Sequence, residues 1–230
     1  IDEGLSKREL EDVIDNDDFS KYGNALTNFS SQLSTSQSLL AMNVLKDPYR
    51  LDFVTLERGY DEHDLESAIA KDITRFLLEL GSGFTYVGRQ PEFVVGNEGY
   101  FPDLLFYHIR LRCYVVIELK VVDFKPEFAG KLNFYVTACN KLLRQPEDNP
   151  TIGLLLCKSK DQTKVEWAFD SIRNPMGVAT YEGIKIKDKL PSVEDLKKRL
   201  DMVEQELREY KENEEASNKE DTDDSNQKTE

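Results

Sequence analysis

Two short stretches hold the residues best suited to chemistry. Phe101-Pro102-Asp103 opens one strand-like segment, and Val115-Val116-Ile117-Glu118-Leu119-Lys120 sets two charges inside the next, which is otherwise almost wholly apolar. A strand apolar on both faces belongs at the centre of a sheet, where a charge is costly unless it is paired or holds a metal. Side chains at i and i+2 share a face, so Glu118 and Lys120 project together, and Asp103 falls on one face with Phe101, Leu105 and Tyr107. Two carboxylates and a lysine converging at a sheet edge are what metal-assisted phosphodiester cleavage requires. The carboxylates hold a hard cation through oxygen, and the lysine positions or activates the attacking water. A third acid, Glu66, lies upstream at the rim of an apolar helical stripe, within reach of the same ion directly or through water.

Each residue also has a plainer reading. Asp103 could cap a turn after Pro102. Glu118 and Lys120 could be a solvated pair at a strand end. Glu66 could be a first-turn acid favoured by the helix dipole. The ordered set, an upstream helical Glu, an Asp and a later Glu-x-Lys on adjacent strands, is more specific than any of its members and points to a nuclease site.

The elements that must position these residues follow from periodicity. Residues 1–45 read as a polar, helical tail with a Ser/Gln/Thr-rich break at Ser30 to Ser38, then a short apolar stripe of Leu39, Leu40, Val44 and Leu45. A long amphipathic helix is expected from about Asp61 to Leu80, carried by Leu65, Ile69, Ile73, Phe76 and Leu80 and ended by Gly81-Ser82-Gly83. Strands are expected at Phe93–Val95, Phe101–Tyr107 and Arg112–Val121, the last two joined as a meander around His108 to Arg110. A helix from Pro126 to about Arg144, a strand at Thr151–Cys157, a helix at Lys164–Ile172 and a strand at Gly177–Tyr181 complete a mixed α/β sheet with helices on both faces. Residues 46–190 form this domain. Beyond it, Val193, Leu196, Leu200, Val203, Leu207 and Tyr210 make a short heptad seam over 191–211. That seam suits either a helix docked on its own domain or a homodimer contact. Residues 212–230 are acidic, without aromatic or branched aliphatic side chains, and are expected to be disordered.

Composition sets limits. The 230 residues, 39% hydrophobic and 32% charged, suit one sizeable core, and no apolar run is long enough to span a bilayer. The chain opens on Ile1-Asp2-Glu3-Gly4 without a visible signal peptide or initiator Met, which reads as a fragment. Cys113, Cys139 and Cys157 are isolated in apolar runs, a pattern of reduced core thiols in the cytoplasm rather than of disulfides or a zinc site. The formal charge of −14 counts against nucleic acid as partner, but the excess lies elsewhere: between Tyr86 and Lys160 there are ten Lys and Arg against eight Asp and Glu, 10 − 8 = +2.

Several blocks in order carry a family resemblance. Leu45-Lys46-Asp47-Pro48-Tyr49, Gly88-Arg89-Gln90, Tyr100-Phe101-Pro102-Asp103-Leu104-Leu105-Phe106-Tyr107-His108, Leu111 to Lys120 and Phe124-Lys125-Pro126-Glu127-Phe128-Ala129-Gly130-Lys131-Leu132-Asn133-Phe134-Tyr135 resemble the bacterial YhcG-type proteins, whose C-terminal domain belongs to the PDDEXK nuclease superfamily. The resemblance runs from about Phe29 to Leu190. It implies a restriction-endonuclease-like fold, Mg²⁺-dependent DNA cleavage with Mn²⁺ as a substitute, Asp103, Glu118 and Lys120 as the catalytic core and Glu66 as the helical acid. One position departs from the family pattern: Lys131 stands where relatives usually carry Gln, so it could grip a phosphate or crowd the metal. Gln90 and Tyr135 are candidates for ordering the site or contacting backbone phosphates, with ordinary packing as the alternative, and Lys125, Lys131 and Lys141 are candidate DNA contacts. The substrate could be branched, foreign or mobile DNA. The competing reading is a catalytically silent DNA-binding or scaffolding module that keeps the fold.

Overall fold

The computed structural model describes residues 24–187, all inside the first of two units, Ile1–Lys187 and Asp188–Glu230. The heptad seam and the acidic tail therefore lie outside the described residues, as do residues 1–23.

In chain order the elements are β1 (Leu26–Thr27), α1 (Phe29–Gln32), α2 (Thr35–Val44), β2 (Tyr49–Arg50), β3 (Thr55–Glu57), α3 (Glu62–Lys71), α4 (Ile73–Leu80), β4 (Phe84–Arg89), β5 (Phe93–Val95), β6 (Glu98–Tyr100), β7 (Leu104–His108), β8 (Cys113–Leu119), α5 (Pro126–Leu142), β9 (Ile152–Cys157), α6 (Gln162–Phe169), β10 (Met176–Glu182) and β11 (Lys185–Lys187). The main sheet runs β1-β10-β9-β8-β7-β4, with β2 also pairing β10. Strands β8, β9 and β10 are parallel, whereas β7 and β4 continue the sheet antiparallel. This is the mixed α/β sheet expected of a restriction-endonuclease-like fold.

The apolar runs occupy the centre. Every residue of β9 is buried, as is every residue of β8 except Tyr114. One face, with Phe106, Val115, Ile117 and Leu154, packs against Leu65 and Ile69 of α3 and Phe76 and Leu80 of α4. The other, with Leu105, Val116 and Leu155, packs against Leu132, Val136 and Cys139 of α5 and Val165 and Phe169 of α6. Burying each such large side chain stabilises the fold by about 1.5–3 kcal/mol, so most of the stability resides in these two layers. Gly153 sets the height of α5 over the sheet, because an added Cβ would stand 2.8 Å from Val136 Cγ2 and 3.0 Å from Leu132 Cγ. The close approach brings the neighbouring Lys131 within reach of β8.

Several expectations are corrected. The single helix from Asp61 to Leu80 is two helices: Asp72 (φ −125°, ψ 51°) leaves helical geometry, and its carbonyl accepts from the N–H groups of Arg75 and Phe76 at the start of α4. Aspartate favours such ends because its side chain competes with the backbone for hydrogen bonds and so disfavours a helix interior. The sheet has an edge strand, β4, with no counterpart in the expected order, although Phe84 and Tyr86 alternate with the exposed Thr85 and Val87 as a half-buried strand should. Phe93–Val95 pairs only with β6, as a separate hairpin. Strand β7 begins at Leu104, so Asp103 precedes it rather than sharing a strand face with Phe101, which is 48% exposed.

Leu39 and Leu40 are exposed, and the buried face of α2 is Ser38 and Ala41, continued by Leu45 after the helix at i, i+3, i+7. Residues 26–45 are moreover no detached tail, since β1 pairs with β10 and Phe29 is fully buried.

Candidate active site

Glu118 and Asp103 meet through strand pairing. The antiparallel register of β7 on β8 sets Leu104 opposite Ile117, and continued by one residue it sets Asp103 opposite Glu118. Asp103 is anchored there because its Oδ2 accepts the backbone N–H of Leu119 at 2.7 Å. Glu118 shares the face of Val116 and turns toward α5, with no exposed surface at all. Its Oε1 accepts from Lys120 Nζ at 3.1 Å and from Lys131 Nζ at 2.5 Å, while its Oε2 is buried with no hydrogen-bond partner among the described residues.

Lys120 is held by its surroundings. Its backbone N–H donates to Leu156 of β9, its carbonyl accepts from the Tyr181 hydroxyl of β10, and its Nζ also donates to the Leu119 carbonyl and lies 5.4 Å from the centre of the Phe128 ring. Parallel strands on one flank and a cation–π contact on the other thus fix where the ammonium sits.

Glu66 arrives from the opposite side. Asp61 caps α3, accepting from the Asp64 N–H at 2.9 Å while the Asp64 side chain accepts in return from the Asp61 N–H. This reciprocal cap fixes the helix start and, with it, the face that buries Leu65, Glu66 and Ile69. Glu66 is 1% exposed, which excludes the solvated first-turn reading. It accepts from Arg89 Nε at 2.6 Å and Gln90 Nε2 at 2.7 Å. Gln90 takes a positive φ of 44°, uncommon for a residue with a side chain, and its N–H donates to the Asp103 carbonyl at 3.0 Å. One residue therefore ties the helical acid to the strand acid, and strained backbone of this kind concentrates at functional sites.

The cleft over these groups measures 560 Å³ and is lined by Glu62, His63, Glu66, Gln90, Asp103, Lys120, Glu127, Phe128 and Lys131. Burial, followed by the charge of Glu118, pushes the Asp103 carboxyl up to about 7, against the opposing pull of the Leu119 N–H and the Lys120 ammonium. Burial acts against the charge of Lys131, yet the Glu118 carboxylate beside it holds the ammonium above the ordinary lysine range.

Of the residues singled out from sequence, Asp103, Glu118, Lys120, Glu66, Gln90 and Lys131 are brought together. Tyr135 is 5% exposed beneath them, with Lys131 Nζ 5.3 Å from its ring centre. Lys125 is exposed at the N-terminus of α5, beside Glu127. Lys141 is not at the cleft: it lies ten residues beyond Lys131 on the same helix, or about 15 Å along its axis.

Sequence reasoning did not single out Arg89 or Tyr181. A cation at a strand end next to Gln90 was the available signal for Arg89; Tyr181 had none, because its contact with Lys120 spans 61 residues.

Among the described residues no three acidic, His or Cys side chains cluster closely enough to hold a metal ion. The Asp103 and Glu118 pair still fits a hard divalent cation. Mg²⁺ is ordinarily held by one or two carboxylates, with water and substrate phosphate completing its octahedron. The unpartnered Glu118 Oε2 is a buried acceptor of the right chemistry. No helix among the described residues is long and apolar enough to cross a membrane. The cysteines are free and buried, and burial pushes Cys113 and Cys157 up to about 12 and Cys139 to about 11, so none is a ready thiolate.

A family model described as the YhcG PDDEXK nuclease domain matches residues 42–201. The curated protein named "Putative nuclease YhcG" from Escherichia coli (strain K12) is 35% identical over 144 residues, which cover 63% of this chain and 38% of that protein. The chain thus spans less than half the length of this relative. Two solved structures overlap in part. The "Structure of EndoMS-dsDNA2 complex" matches at a TM-score of 0.36 and 16% identity, over 57% of this chain and 45% of that one. The "crystal structure of a repair endonuclease from Pyrococcus abyssi" matches at 0.33 and 17%, over 58% and 50%. With the family match spanning most of the sequence and the Asp103, Glu118 and Lys120 set in place within it, the chain belongs to the YhcG PDDEXK nuclease domain family.

Proposed function

We propose that this domain is a divalent-metal-dependent DNA endonuclease that hydrolyses phosphodiester bonds, with Mg²⁺ as its ordinary ion and Mn²⁺ as a substitute. The observation that carries the reading is Glu118: a carboxylate with no exposed surface, one oxygen unpartnered, opposite an Asp and beside a buried lysine at the wall of an open cleft. A purely structural carboxylate at such depth would have both oxygens satisfied.

Asp103 and Glu118 are the ligands that would hold the ion. When bound, the ion lowers the pKa of a coordinated water and offsets charge on the scissile phosphate. Lys120 orients the nucleophile and meets the developing phosphate charge with an ammonium that packing has already positioned. Glu66 acts through Gln90 and Arg89, keeping the Asp103 segment in register, and would complete the shell of the ion through water. Lys131 is the side chain on α5 best placed to meet the DNA backbone, with Lys125 at the helix start as an outer contact. Free buried thiols suit a cytoplasmic setting.

The test is cleavage of plasmid and of branched duplexes in Mg²⁺, Mn²⁺ or EDTA, by the wild type and by Asp103→Ala and Lys120→Ala. Cutting should need the metal and disappear in both variants; cutting that survives in Asp103→Ala defeats the proposal. The second reading, a silent DNA-binding or scaffolding module, is favoured by one observation: the Lys131 ammonium sits directly on Glu118 Oε1. Salt-dependent DNA binding without cutting in any metal would support it.

A further inference from the structure

Two lysines converge on a single oxygen of Glu118, and they differ in how tightly the fold holds them. Lys120 is 8% exposed and tied down through its N–H, its carbonyl and its ammonium. Lys131 reaches the same oxygen more closely, 2.5 Å against 3.1 Å, from a side chain that is 49% exposed. Its other near neighbour is the face of Tyr135. A lysine is a compact charge on a flexible four-carbon stem, so Lys131 can withdraw into the cleft while Lys120 cannot.

Charge sets the consequence. Asp103 and Glu118 carry two negative charges when ionised, and Lys120 and Lys131 carry two positive ones. With both lysines in place the pair offers a divalent cation no net attraction and one contested oxygen. Once Lys131 swings out, a net negative charge returns to the pair and Lys120 is left as the one lysine on that oxygen.

We infer that Lys131 is a tethered counter-ion that competes with the divalent metal for Glu118, so that metal entry requires its displacement toward the phosphate-binding side of the cleft. The inference rests on the metal-nuclease reading above and adds a positioning residue that sets metal affinity from within the chain. A lysine in this place makes the site selective for conditions in which metal and DNA are both present, since a phosphate gives the displaced ammonium a new partner.

Calorimetric titration of Mn²⁺ into the metal-free chain tests this. An adjacent opposite charge lowers the affinity of a carboxylate for a proton by about one to three orders of magnitude, and a metal ion meets the same opposing charge, so Lys131→Gln should bind Mn²⁺ about tenfold to a hundredfold more tightly than wild type. Lys131→Arg keeps the charge and should remain as weak as wild type. In EDTA, Lys131→Gln should melt lower than wild type, because Glu118 has lost a partner, yet gain more on addition of Mn²⁺. Equal or weaker Mn²⁺ binding by Lys131→Gln, in a protein that still cuts DNA with metal, overturns the inference alone. Absence of Mn²⁺ binding in wild type and Lys131→Gln alike overturns both the inference and the proposed function.

Discussion

Asp47 and Glu118 are carboxylates largely removed from water, and each faces a lysine, but the fold completes one and leaves the other open. Asp47 Oδ1 accepts from both the N–H and the hydroxyl of Thr180, and its Oδ2 pairs with Lys160, whose ammonium also donates to the Val178 carbonyl. Both oxygens of Asp47 have partners within the fold. Glu118 is more deeply buried, crowds two lysines onto Oε1 and leaves Oε2 without a partner among the described residues. A buried acceptor with a partner is accounted for by the fold, whereas one without a partner carries a desolvation cost that asks for a further reason, such as a catalytic role or a bound ion. Charge and burial alone do not separate these two sites; the accounting of oxygens does.

Substitution should separate them most sharply. Asp103→Ala, across the register from Glu118, should reduce cleavage on the order of a thousandfold or more, as expected when a metal ligand is lost, while urea titration shows a stable protein. Asp47→Ala should do the reverse. Stranding Lys160 costs about 3 kcal/mol of stability, read as a shifted urea midpoint, and leaves cleavage per folded molecule within a few-fold of wild type. If Asp47→Ala abolished cleavage while remaining folded, the contrast between the two carboxylates would fail.

Gln90 offers a smaller effect. Gln90→Gly accepts the φ of 44° without strain but loses the bond to Glu66. Stability should remain within about 1 kcal/mol of wild type, and cleavage should fall about tenfold as the strand acid and helical acid lose their link. An unchanged rate would make Gln90 ordinary packing.

A further effect lies in pH. The Asp103 carboxyl is raised to about 7 from an ordinary 3.8, so the folded protein binds its proton more tightly than the unfolded chain does. Its contribution is therefore most favourable below pH 4 and is lost as the pH rises through 7. In EDTA, wild type should lose stability relative to Asp103→Asn between pH 4 and 7, by comparison of urea midpoints, and the difference should level off above that range. A difference that grew with pH in the opposite sense would mean that Lys120 and the Leu119 N–H outweigh the burial of Asp103.

Much of this site was legible in the residue order. The Glu-x-Lys inside an apolar run marked a central strand, and Asp103, read as part of the preceding strand Phe101–Tyr107, could meet it across an antiparallel turn. The alternation of helices and strands likewise implied a covered mixed sheet. What escaped was mostly a matter of context. Phe84–Arg89 is an edge strand with the apolar Val87 on its exposed face, so its sequence alternates less clearly than its burial does. Asp72 interrupts a helical pattern that runs on in hydrophobicity, because a break of one residue hardly disturbs a period of 3.6. Lys160 was counted among the cations of a basic surface, although it is in fact committed to Asp47.

Local chemistry, then, settled which side chains could bind a hard cation and which strands would carry them. Side-chain type and alternation are properties of neighbouring residues. The partners were assigned by folding: Lys131 to Glu118, Gln90 to both Glu66 and Asp103, Tyr181 to Lys120 and Asp47 to Thr180. Those contacts join residues 13 to 133 positions apart, and the close fit of α5 over Gly153 sets the first of them. Whether a buried charge ends satisfied or open depends on that long-range packing, which no local pattern encodes.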